Sequence, residues 1–268
     1  MRLAVDLGGT HLRFGLGTGE GAWLATDAMA RPDGLTPADL AASIRDWLAA
    51  CRTRPETLAG IGLSVAAVVD PYGRVLRAEN LGWVDVPLAG ELEAALGRPV
   101  RVETDVFCGA AYEAAAGAAR GAKAALYIGI GTGIGHAFIL DGTVWRGAAG
   151  RANAMGHLVL WPGGKSCYCG NAGCLCQVTS GKAQAEAPPP PGPLHALAQA
   201  IGLAATFIDP DRVVIAGGAL NQPWFHLDRL AALLPAFSYP GLSPPHVVRS
   251  DVADANLRGT ALLFQERS

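Results

Sequence analysis

Apolar residues recur along the chain with two periods, and the switches between them mark out its elements. Arg2–Val5 is a short β-prone run that ends in glycines, after which Leu12, Phe14 and Leu16 alternate with Arg13 and Gly15. This predicts a strand, a glycine turn and a strand. Between Pro37 and Ala50, Leu40, Ile44, Trp47 and Leu48 repeat at helical spacing, which predicts an amphipathic helix. Leu58–Val69 reads as one buried strand leading to a turn at Asp70–Gly73, and Leu88–Leu96 as a short helix. Val100–Glu103 reads as a strand delivering Thr104 and Asp105, and Ala110–Ala119 as an Ala-rich helix. Ala124–Ile128 opens a second copy of the first pattern: strand, glycine turn over Gly129–Gly135, strand over Ala137–Leu140, turn at Asp141 and Gly142. The repetition predicts two related α/β lobes facing a cleft. Farther on, Ala187–Pro193 is a proline-rich break expected to be an exposed linker. Leu194–Phe207 reads as a helix, Val213–Ile215 as a strand running into Gly217 and Gly218, and Arg258–Gln265 as a closing helix.

Composition narrows the class. A chain of 268 residues can bury two modest cores. Half the residues are apolar, 16% are charged and the net charge is −2. No basic stripe suits nucleic acid, no polybasic helix suits an anionic membrane, and no apolar run is long enough to span a bilayer. The apolar start breaks at Asp6, too early for a secretory signal. The expected location is therefore the cytoplasm, where thiols stay reduced. Cys51 and Cys108, far apart in sequence, read as buried small hydrophobes.

The densest chemistry lies between His157 and Cys176. Cys167, Cys169 and Cys174 follow His157 within 17 residues, with Gly163, Gly164, Gly170 and Gly173 among them. One imidazole and three thiolates form a tetrahedral zinc set, and glycines let the chain turn tightly round an ion. A disulfide between Cys167 and Cys169 would close a strained ring. A site with four protein ligands is closed, so the expected Zn²⁺ is structural. Cys176 is left over, open to three readings: a packed core thiol, a competing ligand, or part of a substrate wall.

The glycine turns carry a weaker signal. DLGGT at Asp6–Thr10 offers bare backbone N–H groups, a hydroxyl and a carboxylate, which suits a phosphate with Mg²⁺, although a Gly-Gly turn is also a plain hairpin. The same holds for Gly131, Thr132 and Gly133, and for Gly217 and Gly218 after a buried strand. Together the three are more specific than any one, and they fit neither the P-loop nor the dinucleotide fingerprint. Asp105, at a strand end, is open to two readings: a helix cap or a general base.

These residues together resemble the ROK family of sugar kinases and repressors, in the actin-like ATPase superfamily. The resemblance rests on Asp6–Thr10, Val69–Pro71, Asn80–Trp83 with Asp85–Leu88, Glu103–Asp105 and Gly131–Gly135. It continues through Gly156-His157, the CxCGxxGC run Cys167–Cys174, and Asp209-Pro210 before Ala216–Gly218. It implies two RNase-H-like lobes closing on ATP and a sugar or related polyol, with a zinc-binding loop. The first lobe would cover residues 1–108, joined by the C-terminal helix 255–268, and the second 109–254. Gly8, Gly9, Thr10, Gly131, Thr132 and Gly133 would hold phosphates, Gly217 and Gly218 would face the adenosine, and Asp6 would organise Mg²⁺. Asp105 would activate a sugar hydroxyl for attack on the γ-phosphate. Asn80, Thr104 and Asn153 would line the sugar site, and His157 would bind zinc through one ring nitrogen and a sugar hydroxyl through the other. A homodimer is in keeping with the family.

The chain also departs from the family pattern. Ala66-Ala67 stands for the usual Pro-Gly, Thr104 for Asn, Ala154 and Cys176 for two glutamates, and His136 for a glycine. The resemblance therefore implies either an ATP-dependent kinase with an altered sugar site or a weakly active or inactive ligand-binding sensor. With Asp6 so near the start, no helix-turn-helix domain is expected to precede it.

Overall fold

The computed structural model describes residues 1–18, 22–184, 192–241 and 243–264. Its chain divides into two compact units. One comprises Met1–Tyr112, Gly147–Arg151 and the chain from Asp254 on; the other comprises Glu113–Arg146 and Ala152–Ala253.

In the first unit β1 (Arg2–Leu7) and β2 (His11–Gly17) form the predicted hairpin, with Asp6 directly opposite Arg13. β3 (Trp23–Ala30), which the alternation left unread, extends the sheet antiparallel to β2. The helix α1 (Pro37–Ala50) has the predicted bounds. Thr36 and Asp39 exchange backbone and side-chain hydrogen bonds at its start, a capping box that satisfies two otherwise unpaired N–H groups. Its buried face carries Leu40, Ile44, Trp47 and Leu48, and Trp47 stacks on Phe14 with ring centroids 5.1 Å apart.

The strand expected over Leu58–Val69 is two strands. β4 (Gly60–Val65) runs parallel to β1 until β1 ends at Leu7. With no partner left to pair, the chain turns: Ala66 N–H reaches Leu7 O, and Ala67 N–H folds back to Val65 O. β5 (Val68–Val69) then joins a separate antiparallel sheet with β6 (Val75–Ala78) and β7 (Trp83–Val86). After α2 (Leu88–Leu96), β8 (Val100–Thr104) runs parallel to β4. The helix read as Ala110–Ala119 is α3 (Asp105–Ala115), so the chain passes from strand to helix with no loop and Asp105 is its first helical residue. It ends early because Glu113 turns its carboxylate onto the Ala118 N–H.

The second unit repeats the plan. β9 (Ala124–Ile130) and β10 (Ile134–Leu140) extend beyond their expected bounds and leave only Gly131–Gly133 as the turn, because antiparallel pairing holds as far as Ile130 and Ile134. β11 (Thr143–Trp145) pairs with β10. The short helices α4 (Cys176–Thr179) and α5 (Gly181–Gln184) precede α6 (Pro193–Ile208). β12 (Arg212–Ala216), α7 (Leu227–Leu233) and β13 (His246–Arg249) follow, and β12 lies parallel to both β9 and β13. The closing helix is α8 (Ala255–Ala261), continued by one tighter turn at Leu262–Phe264. Positions 187–191 of the proline-rich break and Gln265 lie outside the described residues.

The two sheets have the same strand order, β3-β2-β1-β4-β8 and β11-β10-β9-β12-β13, with matching directions. The duplication seen in the glycine turns is thus a duplication of whole five-stranded sheets. Among the described residues no helix is long and apolar enough to cross a membrane.

Candidate functional site

Two constellations hold the candidate residues, one in each unit. In the first, the hairpin register puts Asp6 beside Arg13. Asp6 Oδ2 accepts from Arg13 Nη1 at 3.0 Å, and Oδ1 accepts from Ser64 Oγ at 2.8 Å. Burial raises the Asp6 pKa above the usual carboxylate range, opposed by the Ser64 hydrogen bond and the Arg13 charge. The turn that follows is held by Gly8 N–H to His11 O at 2.9 Å and by Arg31 Nε donating to Gly9 O at 3.0 Å. Thr10 is exposed, with Oγ1 2.9 Å from His11 Nδ1.

Asp105 is half-buried. Burial, followed by the Asp6 charge, pushes its pKa up to about 7, while N–H groups of Val106 and of Asp105 itself pull it down. A carboxyl that titrates near neutrality beside a second carboxylate is matched to general-base work. Thr104 is buried and donates its hydroxyl to Ala67 O at 3.2 Å, so that hydroxyl serves the backbone. Asn80 sits exposed in the turn between β6 and β7.

In the second unit, neighbouring parallel strands deliver the Gly131–Gly133 turn and the Gly217-Gly218 turn side by side. Gly181 N–H, at the start of α5, donates to Gly131 O at 2.8 Å.

The metal candidates converge in the same unit. His157, Cys167, Cys169 and Cys174 place one donor atom each within 4.8 Å of one another. His157 Nδ1 is 3.5 Å from Cys167 Sγ, and Cys169 Sγ is 3.6 Å from Cys174 Sγ. Two thiolates on one tetrahedral zinc ion stand about 3.8 Å apart, so spacing and donor chemistry both fit. Backbone bonds preform the turn: Cys167 N–H to Asn171 O at 2.8 Å and Gly170 N–H to Cys167 O at 3.0 Å. Gly173 has φ 80°, and a Cβ there would stand 1.7 Å from Trp161 O, so only glycine fits. Burial disfavours the Cys167 thiolate, but hydrogen bonds from Cys169, Cys176 and His157 outweigh it and lower its pKa. Burial and the neighbouring Cys169 and Cys167 raise that of Cys174.

Sequence reasoning missed four partners. Arg13 and Ser64 bind Asp6; counting pairs back from the hairpin turn would have found Arg13. His136 is buried, which pushes its pKa down to about 4 against a backbone hydrogen bond with Asn153. Its Nδ1 accepts from Met155 N–H at 3.0 Å, and this anchors the Met155–His157 turn to β10. The turn lies so close to β10 that a Cβ on Gly156 would meet Ile134 O at 2.5 Å. Tyr168 Oη is 3.1 Å from His157 Nε2, the nitrogen that the resemblance assigns to a sugar hydroxyl. Cys176 opens α4, buried, with Sγ 3.6 Å from Cys167 Sγ.

Paired sheets of one strand order and a closed group of three cysteines and a histidine define a duplicated α/β protein with a turn whose donors could hold a metal ion. The chain belongs to the ROK family, whose sequence model matches residues 2–187. It is 33% identical over 184 residues to a glucokinase of Halalkalibacterium halodurans, a match covering 66% of this chain and 56% of that protein. It thus spans little more than half the length of the curated glucokinases it matches. It is 33% identical over 129 residues to the xylose repressor of Bacillus subtilis, covering 48% of this chain and 34% of the repressor. Among solved structures it resembles a ROK family glucokinase from Streptomyces griseus in complex with glucose and AMPPNP, with a TM-score of 0.82 and 26% identity over 98% of both chains.

Proposed function

We propose that this chain is an ATP-dependent kinase that phosphorylates a hydroxyl of a sugar or sugar-like polyol, with Asp105 as general base. The observation that carries the reading is the half-buried Asp105 carboxyl, its pKa raised to about 7 at a strand-to-helix junction, in a chain of a family with glucokinase members. A base of that strength can take the proton of an alcohol as its oxygen attacks a phosphoryl group. Asp6, fixed by Arg13 and Ser64, would help to organise Mg²⁺, which when bound neutralises phosphate charge. Gly8, Gly9 and Thr10, and likewise Gly131, Thr132 and Gly133, would present N–H groups and hydroxyls to phosphates, and Gly217 and Gly218 would face the adenosine. His157, Cys167, Cys169 and Cys174 would hold a structural Zn²⁺ that fixes the turn carrying Asn153 and His157. ADP release from Mg-ATP, screened over sugars, aminosugars and small polyols, tests the reading. At least one acceptor should stimulate release well above the rate without acceptor.

A second reading is a ligand-binding sensor of low activity. It is supported by Ala154 and Cys176 at positions where the resemblance expects glutamates, and by the similarity to the xylose repressor. Under that reading the screen would show ligand binding by thermal shift and no stimulated ADP release.

A further inference from the structure

The metal centre has one donor more than a tetrahedral ion needs. Cys176 Sγ lies 3.6 Å from Cys167 Sγ and 3.9 Å from His157 Nδ1. The first distance equals that between Cys169 and Cys174 inside the group of four, and it is the spacing of two thiolates on one ion. Cys176 is not one of the four donors that all lie within 4.8 Å of one another; it stands against the Cys167–His157 edge of that group. The thiol is buried, with Gln177 Nε2 3.7 Å away.

His157 is held outside the cysteines' turn, with its N–H on Ala154 O at 2.9 Å. It ends a single turn, Met155–His157, and is only half-buried, with its second nitrogen bonded to the exposed Tyr168. Two of the cysteines are fixed by the backbone of their own turn: Cys167 bonds to Asn171 and Gly170, and Cys174 pairs with Val159 in an isolated bridge, while Cys169 is exposed. The extra thiol thus adjoins the one non-thiol donor, which stands on a separate turn from the cysteines.

We propose that Cys176 is an alternate ligand of this centre, which takes the place of His157 and releases the imidazole. The proposal rests on the reading of the four residues as a zinc site. In the exchange the Zn–Nδ1 bond breaks, a Zn–Sγ bond to Cys176 forms, and the thiol proton passes to the vacated Nδ1. No oxidant is involved. Three thiolates with one imidazole and four thiolates are both closed tetrahedral zinc sets. A side chain that serves the metal in one setting is thereby free to donate hydrogen bonds in the other.

Cobalt substitution reads the ligand set directly, because sulfur-to-cobalt charge-transfer absorption grows with the number of thiolates. Wild type, H157A, C176A and the H157A/C176A double variant are loaded with Co²⁺, and metal per chain is counted by mass spectrometry. H157A should keep about one ion per chain, with charge-transfer absorption raised by about a third over wild type, while the double variant loses the ion. Loss of metal from H157A as complete as from the double variant overturns the proposal, as does retention with no rise in the band. Wild type that takes up no metal defeats the zinc reading itself, and the proposal with it. If H157A does not fold, C176A and C176S decide. A thiol that recaptures the ion slows its escape, so excess EDTA should strip Zn²⁺ from both variants about tenfold faster than from wild type. Equal rates overturn the proposal.

Discussion

Asp105 concentrates the account at the scale of a single residue. Its pKa of about 7 arises from burial first and from the nearby Asp6 charge second. The base works only when deprotonated, so activity is lost as pH falls through that value. kcat/KM for the best acceptor should therefore rise with pH, reach half its plateau near about 7, and level off above. A profile that stays flat down to pH 5 would show that another group accepts the proton. The proposed sugar site carries a second residue-scale consequence. Carboxylates are strong acceptors for sugar hydroxyls, whereas Ala154 has no side-chain acceptor and Cys176 a weak one that faces Cys167. Each buried hydroxyl left unpaired costs on the order of 1–3 kcal/mol, so two such losses weaken binding about a hundredfold or more. Glucose should be a poor substrate beside a deoxy, modified or smaller polyol, as the ratio of their kcat/KM values would show. Brisk turnover of glucose with a low KM would mean that Asn153 or Asn80 has taken over the lost contacts.

At the scale of elements, the candidate metal turn has little regular structure of its own. Between the turn ending at His157 and α4 it has two isolated bridges, Val159 with Cys174 and Ser166 with Ala172, and scattered turn bonds, but no strand or helix of its own. Metal binding and folding are coupled in such segments. Removal of Zn²⁺ with a chelator should lower the Tm and speed amide exchange across residues 157–176, with β9, β10 and β12 less affected. Protein that purifies without zinc and shows unchanged exchange there would contradict the structural role. The elements also show what could be read in advance. The helix at Pro37–Ala50 was fully legible, because apolar periodicity, the Thr36–Asp39 cap and the proline at its start all agree. The Leu58–Val69 run was not, because its break at Ala66 is set by where β1 ends, a partner effect that no local pattern carries. β3 stayed hidden because its face is mostly solvated and Trp23–Ala30 lacks a clean apolar alternation. The four donors that the structure brings within 4.8 Å of one another could be picked out from their spacing, whereas Tyr168 and His136 act through geometry that only folding creates.

At the scale of the molecule, the two five-stranded sheets of identical order show that the repeated glycine turns belong to a repeated fold. The turns follow equivalent strands: Gly8–Thr10 leaves β1 and Gly131–Gly133 leaves β9. If both serve phosphates, nucleotide stabilises the folded chain by mass action, by about 2.7 kcal/mol at a hundredfold excess over Kd. Millimolar Mg-ATP should raise the Tm by several degrees, and the shift should shrink when Thr10 or Thr132 is replaced by valine. No shift at any Mg-ATP concentration would favour the sensor reading.

Turnover of Asp105→Asn on the best acceptor, measured beside wild type with saturating Mg-ATP, decides whether Asp105 is the base of a phosphoryl transfer. The substitution keeps the shape of the side chain and removes the proton acceptor. The account predicts that ADP formation falls by at least ~10²-fold while the Mg-ATP thermal shift is retained. Turnover of the variant equal to that of wild type would contradict it.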